Sequence, residues 1–153
     1  KGPRAALFGR GEPGGTINIV TKKPEFDHKG SLELAGGRFD TYRVAGDYTG
    51  PISNSVAFRI NGAWEDSNGF RDTVTFKKTA LTPSLLFRIG EATVVNYELE
   101  LVNQEAPFDR GVVAPFGVLG AVPITRFLGE PGDGVTEIDV TGHQLYLQHE
   151  FSS

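Results

Sequence analysis

Three glycines near the start of the chain have a spacing that could bind phosphate. Gly9, Gly11 and Gly14 match the G-x-G-x-x-G pattern of dinucleotide-binding loops. That pattern works between a strand and a following helix, because the helix N-terminus supplies the N–H groups that hold the pyrophosphate. Here residues 4–8 predict a helical turn, whereas the β-branched, alternating residues 16–21 predict a strand. The order is reversed, so the sequence argues against a nucleotide site.

A β-turn explains the same glycines. In Glu12-Pro13-Gly14-Gly15, proline sets φ at the second position and glycine permits a positive φ at the third. These are the requirements of a type II turn, which predicts a sharp reversal into the strand at residues 16–21.

The other residues that could bind a metal or take part in catalysis are scattered along the chain. His28, His143 and His149 each lack a second ligand at metal spacing on the same short element. Neither a Ser/His/Asp order nor a carboxylate pair points to catalysis, and the sequence contains no cysteine. The net charge of −4, with no basic patch interleaved with aromatics, argues against nucleic-acid binding. We therefore expect no enzyme activity, no protein-held metal and no cofactor.

Beyond residue 30, apolar and polar residues alternate in six segments, which is typical of strands with one apolar face. The predicted strands cover residues 31–36, 42–48, 56–65, 79–89, 95–101 and 144–151. Two residues disturb the pattern: Pro83 cannot donate a ladder hydrogen bond, and Leu86 falls on the polar side. The Gly- and Pro-containing run 111–124 predicts an ordered loop instead of a helix.

The connections favour a membrane barrel over a soluble sheet. Short connections (49–55 and 90–93) alternate with long ones (66–77 and 105–142), as periplasmic turns alternate with external loops in outer-membrane barrels. Aromatic residues near strand ends would fit the girdles at the two membrane surfaces; they are Tyr48, Trp64, Phe87 and Phe151. A soluble sandwich produces the same alternation, so periodicity leaves that alternative open.

Residues 2–24 resemble the end of the plug domain of TonB-dependent outer-membrane receptors. The resemblance is carried by Gly2-Pro3, by Leu7-Phe8-Gly9 and by the ungapped run EPGGTINIVTKKP from Glu12 to Pro24. The turn and the Thr-Lys-Lys-Pro exit are most similar to the ferric-siderophore branch. The resemblance implies an all-β fold: a fragment of a plugged transmembrane antiparallel β-barrel, with about six strands, preceded by the end of the plug. Residues 1–27 would end the plug domain, and residues 28–153 would be the N-terminal barrel strands.

The same resemblance implies energy-coupled import of a ferric siderophore across the bacterial outer membrane. The expected partners are the ferric siderophore, outer-membrane lipid and a TonB-type energy-transducing complex, whose contact segment we expect outside this chain. Iron is expected only as part of the bound chelate. The alternatives are the same transporter with a vitamin, haem or oligosaccharide cargo, or a soluble all-β binding module.

The resemblance also suggests binding residues. It places Phe8 high on the plug, facing the ligand pocket where family members often have tyrosine, although a position in the plug core is an equal alternative. The external loop 105–142 commonly supplies aromatics to the pocket, which indicates Phe108 and Phe116, with Arg110 for a negatively charged complex. Basic residues of the plug end and of one strand face predict charged contacts between plug and barrel; they include Lys22, Lys23, Arg43, Arg59, Lys78 and Arg88.

Overall fold

The computed structural model describes residues 21–130, 132 and 134–151, and within them the fold is an antiparallel β-meander. Six strands follow one another in chain order and each pairs with the next. Their bounds are β1 Lys29–Gly37, β2 Thr41–Pro51, β3 Val56–Asn68, β4 Thr75–Ile89, β5 Thr93–Ala106 and β6 Thr136–His149. The all-β prediction with about six strands is confirmed. The predicted plug strand at residues 16–21 and the turn before it lie almost wholly outside the described residues.

The strands are longer than the apolar alternation predicts. β3 continues to Asn68, β4 begins at Thr75, and β5 and β6 extend to Ala106 and from Thr136. Polar residues continue the pairing there, as where Asp66 pairs with Lys77 and Glu105 with Glu137. Sequence periodicity missed these ends because it follows the apolar face, whereas strand pairing follows backbone hydrogen bonds.

The connections alternate between the two ends of the sheet. Residues 52–55 and 90–92 form short turns at one end, which we call the turn end. At the opposite loop end, residues 38–40, 69–74 and 107–135 connect the strands, and the last contains a short 3-10 turn at Pro115–Gly117. The predicted loop at residues 111–124 is confirmed. Phe151 was wrongly assigned to a strand, since β6 ends at His149.

Pro83 lies inside β4 without breaking it. It pairs with Ile60 of β3, whereas the β4–β5 register runs from Leu81 opposite Leu101 to Ser84 opposite Glu98 without ladder pairs for Thr82 and Pro83. The interruption is confined to the β5 side and leaves the register unchanged. A missing N–H therefore costs local pairing at this position and does not displace the strand.

The two faces of the sheet have opposite chemistry. On the inner face, part of which is covered by the leading segment (residues 21–28), polar side chains are buried: Thr49, Arg59, Ser84, Asn96 and Glu98. On the outer face, large apolar side chains are exposed, including Leu32 at 72% and Leu34 at 71%. Leu86 is the predicted exception, an apolar residue buried on the inner side. This distribution is the reverse of that in a water-soluble domain.

Among the described residues, no helix has the length and apolar character needed to cross a membrane.

Candidate functional site

A group of charged and polar residues joins the leading segment to the inner face, and Arg59 lies at its centre. The Arg59 guanidinium donates from Nε to Asp47 Oδ1 at 2.9 Å and from Nη2 to Asp47 Oδ2 at 2.7 Å. Its Nη1 donates to the Lys23 carbonyl at 2.9 Å and to Glu25 Oε1 at 3.3 Å. One side chain thus binds a strand carboxylate in two-pronged geometry and holds the leading segment with its remaining nitrogen.

Two further residues complete this junction cluster, defined as Lys22, Glu25, Asp47, Thr49 and Arg59. Lys22 Nζ donates to Asp47 Oδ2 at 2.8 Å, so the carboxylate faces two cations. Thr49 is fully buried; its hydroxyl accepts from the Glu25 amide at 2.8 Å and donates to the Phe58 carbonyl at 2.8 Å. Buried charges are tolerated here because each has a partner of opposite sign and directed hydrogen bonds.

The ionisation of Glu25 follows from the same contacts. Lys29 hydrogen-bonds to Glu25 and lies beside it as a positive charge, and Arg59 adds a weaker contribution of the same sign, which together hold the pKa of Glu25 below its ordinary value. Glu25 is therefore an anion at neutral pH, when its contact with Arg59 is strongest.

Cations also contact aromatic rings along the leading segment. The Arg88 guanidinium lies 3.7 Å from the centre of the Phe26 ring, and Lys23 Nζ lies 4.0 Å from that of Tyr146. With Asp47 and Arg59, these contacts tie eight residues of chain to β2, β3, β4 and β6. Pro24, in the middle of the segment, is buried.

Six basic residues were predicted to make contacts between the leading segment and the sheet, and four of them do so. Lys22, Lys23, Arg59 and Arg88 all contact the opposite element as expected. The acceptors Asp47, Thr49 and Glu25 were missed. The alternation of β2 already placed Asp47 on the charged side, but its partner depends on the cross-strand register, which puts Thr49 opposite Arg59 and Asp47 opposite Asn61.

A second candidate site lies at the loop end. Residues of the 107–135 loop and the start of β6 enclose a cavity of about 500 Å³. Its lining includes Phe108, Arg110, Val113, Phe127, Leu128 and Glu130. The Arg110 guanidinium is 4.9 Å from the centre of the Phe108 ring, which leaves a cation and an aromatic face side by side at the cavity wall. This combination suits a ligand with both apolar and anionic parts.

Contacts with the neighbouring loop hold this cavity in place. Arg71 Nη1 donates to Asp109 Oδ2, and the Gly111 amide donates to Asp109 Oδ1 at 2.8 Å. The Asp72 amide donates to the Thr125 carbonyl at 2.7 Å. The Gly111 hydrogen bond, followed by that of Arg71, lowers the pKa of Asp109.

The structure brings some of the predicted binding residues together and separates others. Phe108 and Arg110 line the same cavity, whereas Phe116 is fully exposed with a positive φ of 54° and does not line it. Phe8 lies outside the described residues. Phe127 and Leu128 were missed; their apolar side chains in the same loop were the available signal.

In the described residues, no group of three or more His, Cys, Asp or Glu side chains has a geometry that could hold a metal ion.

The fold and these sites define a class. A meander with an exposed apolar outer face, a buried charged inner face and long loops at one end forms part of the wall of an outer-membrane β-barrel.

The chain is 40% identical over 154 residues to the metal-pseudopaline receptor CntO of Pseudomonas aeruginosa, an alignment covering 99% of this chain and 22% of the receptor. It is 38% identical over 154 residues to the ferrioxamine receptor of Yersinia enterocolitica, covering 99% and 21%. No family model matches the chain.

Solved structures agree on the fold. The closed form of the ferric-catecholate import receptor Fiu from Escherichia coli superposes with a TM-score of 0.85, at 22% identity, over 99% of this chain and 23% of that one. The ferripyoverdine receptor of Pseudomonas aeruginosa, bound to ferripyoverdine, gives a TM-score of 0.81 at 25% identity, over 99% and 21%.

The chain belongs to the TonB-dependent receptors of the bacterial outer membrane. It is a receptor segment and not an enzyme. The chain spans about a fifth of the length of the curated relatives that it matches.

Proposed function

We propose that this chain forms part of an energy-coupled outer-membrane receptor that imports a ferric siderophore. The observation that carries the proposal is the loop-end cavity of about 500 Å³, in which Arg110 lies against the Phe108 ring. The names of its relatives, receptors for ferrioxamine and for metal–pseudopaline, support a metal-chelate cargo.

The cavity fits the chemistry of a ferric chelate. Such a complex presents an apolar or aromatic organic shell, and it carries negative charge where catecholate or carboxylate oxygens surround the iron. The ring of Phe108 and the neighbouring apolar side chains would pack on the shell, and Arg110 would attract the charge. Iron would enter as cargo within the chelate. Phe116, which does not line this cavity, and Phe8 are proposed as additional contacts with the ligand.

The junction cluster supports the energy-coupled part of the proposal. In this interpretation a TonB-type complex pulls on the plug from the periplasmic side. Arg59 and Thr49 fix the leading segment to the barrel wall, so the pull would reorganise the chain before that segment and leave its attachment intact. The plug would then move without detaching from the barrel.

Binding measurements on the full-length receptor test the cargo. Purified receptor is titrated with ferric hydroxamate, catecholate and mixed-ligand siderophores, and affinity is compared for Phe108→Ala, Arg110→Gln and Phe116→Ala. Loss of an aromatic or cationic contact should weaken binding of the cognate chelate about tenfold, on the basis of about 1–2 kcal/mol for each such contact. Phe39→Ala is the matched control, since Phe39 also lies beside an arginine at the loop end but in the β1–β2 turn.

Two results would contradict the proposal. Unchanged affinity of Phe108→Ala and Arg110→Gln would remove the cavity from the binding site. Tight binding of haem, cobalamin or an oligosaccharide, with no binding of any ferric chelate, would retain the transporter class and replace its cargo.

A further inference from the structure

The residues 108–110 alternate between side chains that face the loop-end cavity and one that is anchored elsewhere. Phe108 is 66% exposed and lines the cavity together with Arg110. Between them, the side chain of Asp109 is only 17% exposed and does not line the cavity. Both oxygens of the Asp109 carboxylate are bound, Oδ1 by the Gly111 amide at 2.8 Å and Oδ2 by Arg71 Nη1. The two residues that face the cavity are therefore held through the residue between them.

Arg71 belongs to a different connection, the loop 69–74 between β3 and β4. Among the described residues, the hydrogen bonds that join loop 107–135 to another element both come from this shorter loop. One is the bond from Arg71 to Asp109, and the other is the bond from the Asp72 amide to the Thr125 carbonyl at 2.7 Å. The backbone hydrogen bonds that the long loop makes within itself in the described part only close local turns. The conformation of residues 108–110 therefore depends on a side chain from outside their loop.

The loop 69–74 presents Arg71 at a local cost. Thr73 has a positive φ of 64°, which β-branched residues rarely adopt. The Nε of Arg71 is buried without a hydrogen-bond partner, whereas most buried N–H groups have one. Strained backbone and unpaired polar groups persist where the surrounding structure fixes them, and they cluster at functional sites. Two such costs in one short loop indicate that it does more than connect two strands.

The geometry of Arg71 suits an action through Asp109 and not on the ligand itself. Arg71 does not line the cavity; its Nη1 is bound to Asp109, and its Nη2 lies 3.8 Å from the position that a Cβ on Gly111 would take. A planar guanidinium fixes the direction of a carboxylate more closely than a flexible ammonium does. Fixing the Asp109 carboxylate also restricts the backbone on both sides of it. Side chains that are in place before binding lose less conformational entropy when a ligand arrives.

We propose that Arg71 is a positioning residue of the ligand site, which acts through Asp109 to hold Phe108 and Arg110 ready for the ferric chelate. The inference rests on the proposed function, since these are two of the residues proposed to contact the chelate. It adds a determinant of affinity that lies in another loop and touches no ligand. The sequence gives no sign of it, because Arg71 and Asp109 are 38 residues apart.

Fluorine-19 NMR of the ligand-free, full-length receptor tests the positioning directly. A fluorinated phenylalanine is incorporated at position 108, so the ring is kept. The native receptor should give one resonance, displaced from that of the free amino acid by the neighbouring guanidinium of Arg110. Arg71→Met should broaden this resonance or shift it towards the free value, and Arg71→Lys should restore most of the native position.

Arg38→Met is the matched control for Arg71→Met. Arg38 also lies beside a phenylalanine at the loop end, 5.6 Å from the centre of the Phe39 ring, but in the β1–β2 turn. Its replacement should leave the resonance of the ring at position 108 unchanged.

Binding of two defined probes, ferrioxamine B and ferric tris-catecholate, measures the consequence for affinity. Arg71→Met should weaken binding of the probe that the native receptor binds by about tenfold, because two side chains must then be ordered on binding. Arg71→Lys should recover most of this loss. In a receptor that already carries Phe108→Ala and Arg110→Gln, Arg71→Met should cause no further loss, since the residues through which it acts are gone.

The two measurements separate this inference from the proposed cargo. If the native receptor binds no ferric chelate, the cargo proposal fails, and the fluorine resonance alone decides the role of Arg71. An unchanged resonance in Arg71→Met overturns the inference whether or not a chelate binds. An equal loss of affinity with and without Phe108 and Arg110 overturns it as well, because Arg71 would then act independently of them. If Arg71→Met does not fold, Asp109→Asn breaks the same contact from the other side, and an unchanged resonance there would equally reject the inference.

Discussion

The inner and outer faces of this sheet belong to the same backbone, but their side chains differ in burial, in polarity and in hydrogen bonding. On the inner face Arg59 is only 8% exposed and is surrounded by directed hydrogen bonds. On the outer face Leu32 is 72% exposed and touches little of its own chain. The comparison teaches that burial and polarity are set by what lies against each face, which is a charged chain segment on one side and hydrocarbon on the other.

Breaking the inner face at its centre should have the largest effect. Arg59→Met removes both Asp47 contacts and the two contacts with the leading segment, leaving the mostly buried Asp47 carboxylate with Lys22 as its remaining cationic partner. We expect a loss of about 3–5 kcal/mol, as for other broken buried pairs. Denaturant unfolding of the full-length receptor in vesicles measures it.

Arg43→Met is the matched control for Arg59→Met. Arg43 lies on the same face, 3.7 Å from Glu33, but their side chains are 36% and 67% exposed, so solvent screens the pair. Its replacement should cost less than about 1 kcal/mol. Equal losses in the two variants would show that the position of Arg59 in the junction cluster has no special weight.

A charge on the outer face should have the next largest effect. Leu81→Arg places a cation among acyl chains and should destabilise the inserted receptor by about 2–4 kcal/mol, less if the side chain reaches the interface. Ala80→Arg, one residue away on the inner face beside a polar cavity, should cost about 1 kcal/mol or less. The two variants are compared by their folding yield into vesicles over a denaturant series. A larger loss for Ala80→Arg than for Leu81→Arg would contradict the assignment of the Leu81 face to the lipid side.

Removal of a single buried hydroxyl gives a finer test of the inner face. Thr49→Val keeps the shape of the side chain but loses its hydrogen bonds with Glu25 and Phe58, at a cost of about 1–2 kcal/mol. Thr41→Val removes a hydroxyl that donates to the Arg38 carbonyl at the exposed β1–β2 turn and should cost about 0.5 kcal/mol or less. Thermal unfolding of both variants distinguishes the buried from the exposed bond.

The smallest effect is expected from pH at the loop end. Because contacts with Gly111 and Arg71 lower the pKa of Asp109, its ionised form is favoured when the loop is in place. The stabilisation is therefore complete above the ordinary aspartate pKa and is lost as pH falls through the lowered one. Hydrogen exchange at the Gly111 amide, corrected for the intrinsic rate, should accelerate over that range. In Asp109→Asn it should already be fast at neutral pH.

The positions of the strands could be predicted from the sequence more completely than the contacts between side chains. Alternation assigned Phe58, Ile60 and Trp64 to one face and Arg59 to the other, because side-chain direction in a strand has a period of two residues. It underestimated β3 and β5, since their polar ends are stabilised by pairing. Phe108 and Arg110 were selected through resemblance to a family. Their contact with each other depends on the conformation of the loop, which the sequence does not predict because a loop has no periodic pattern.

By itself, the amino-acid sequence determined the all-β class, the chemistry of the two faces and, through residues 2–24, the family. These properties are local, since they follow from neighbouring residues and from a strand repeat that any register preserves. Only the tertiary structure decided that Arg59 binds Asp47 and the leading segment, and that Gly46 of β2 lies opposite Gly62 of β3. In both arrangements, the residues that become neighbours are decided by the lengths of the turns and by the register between strands. That information is not present in either strand alone.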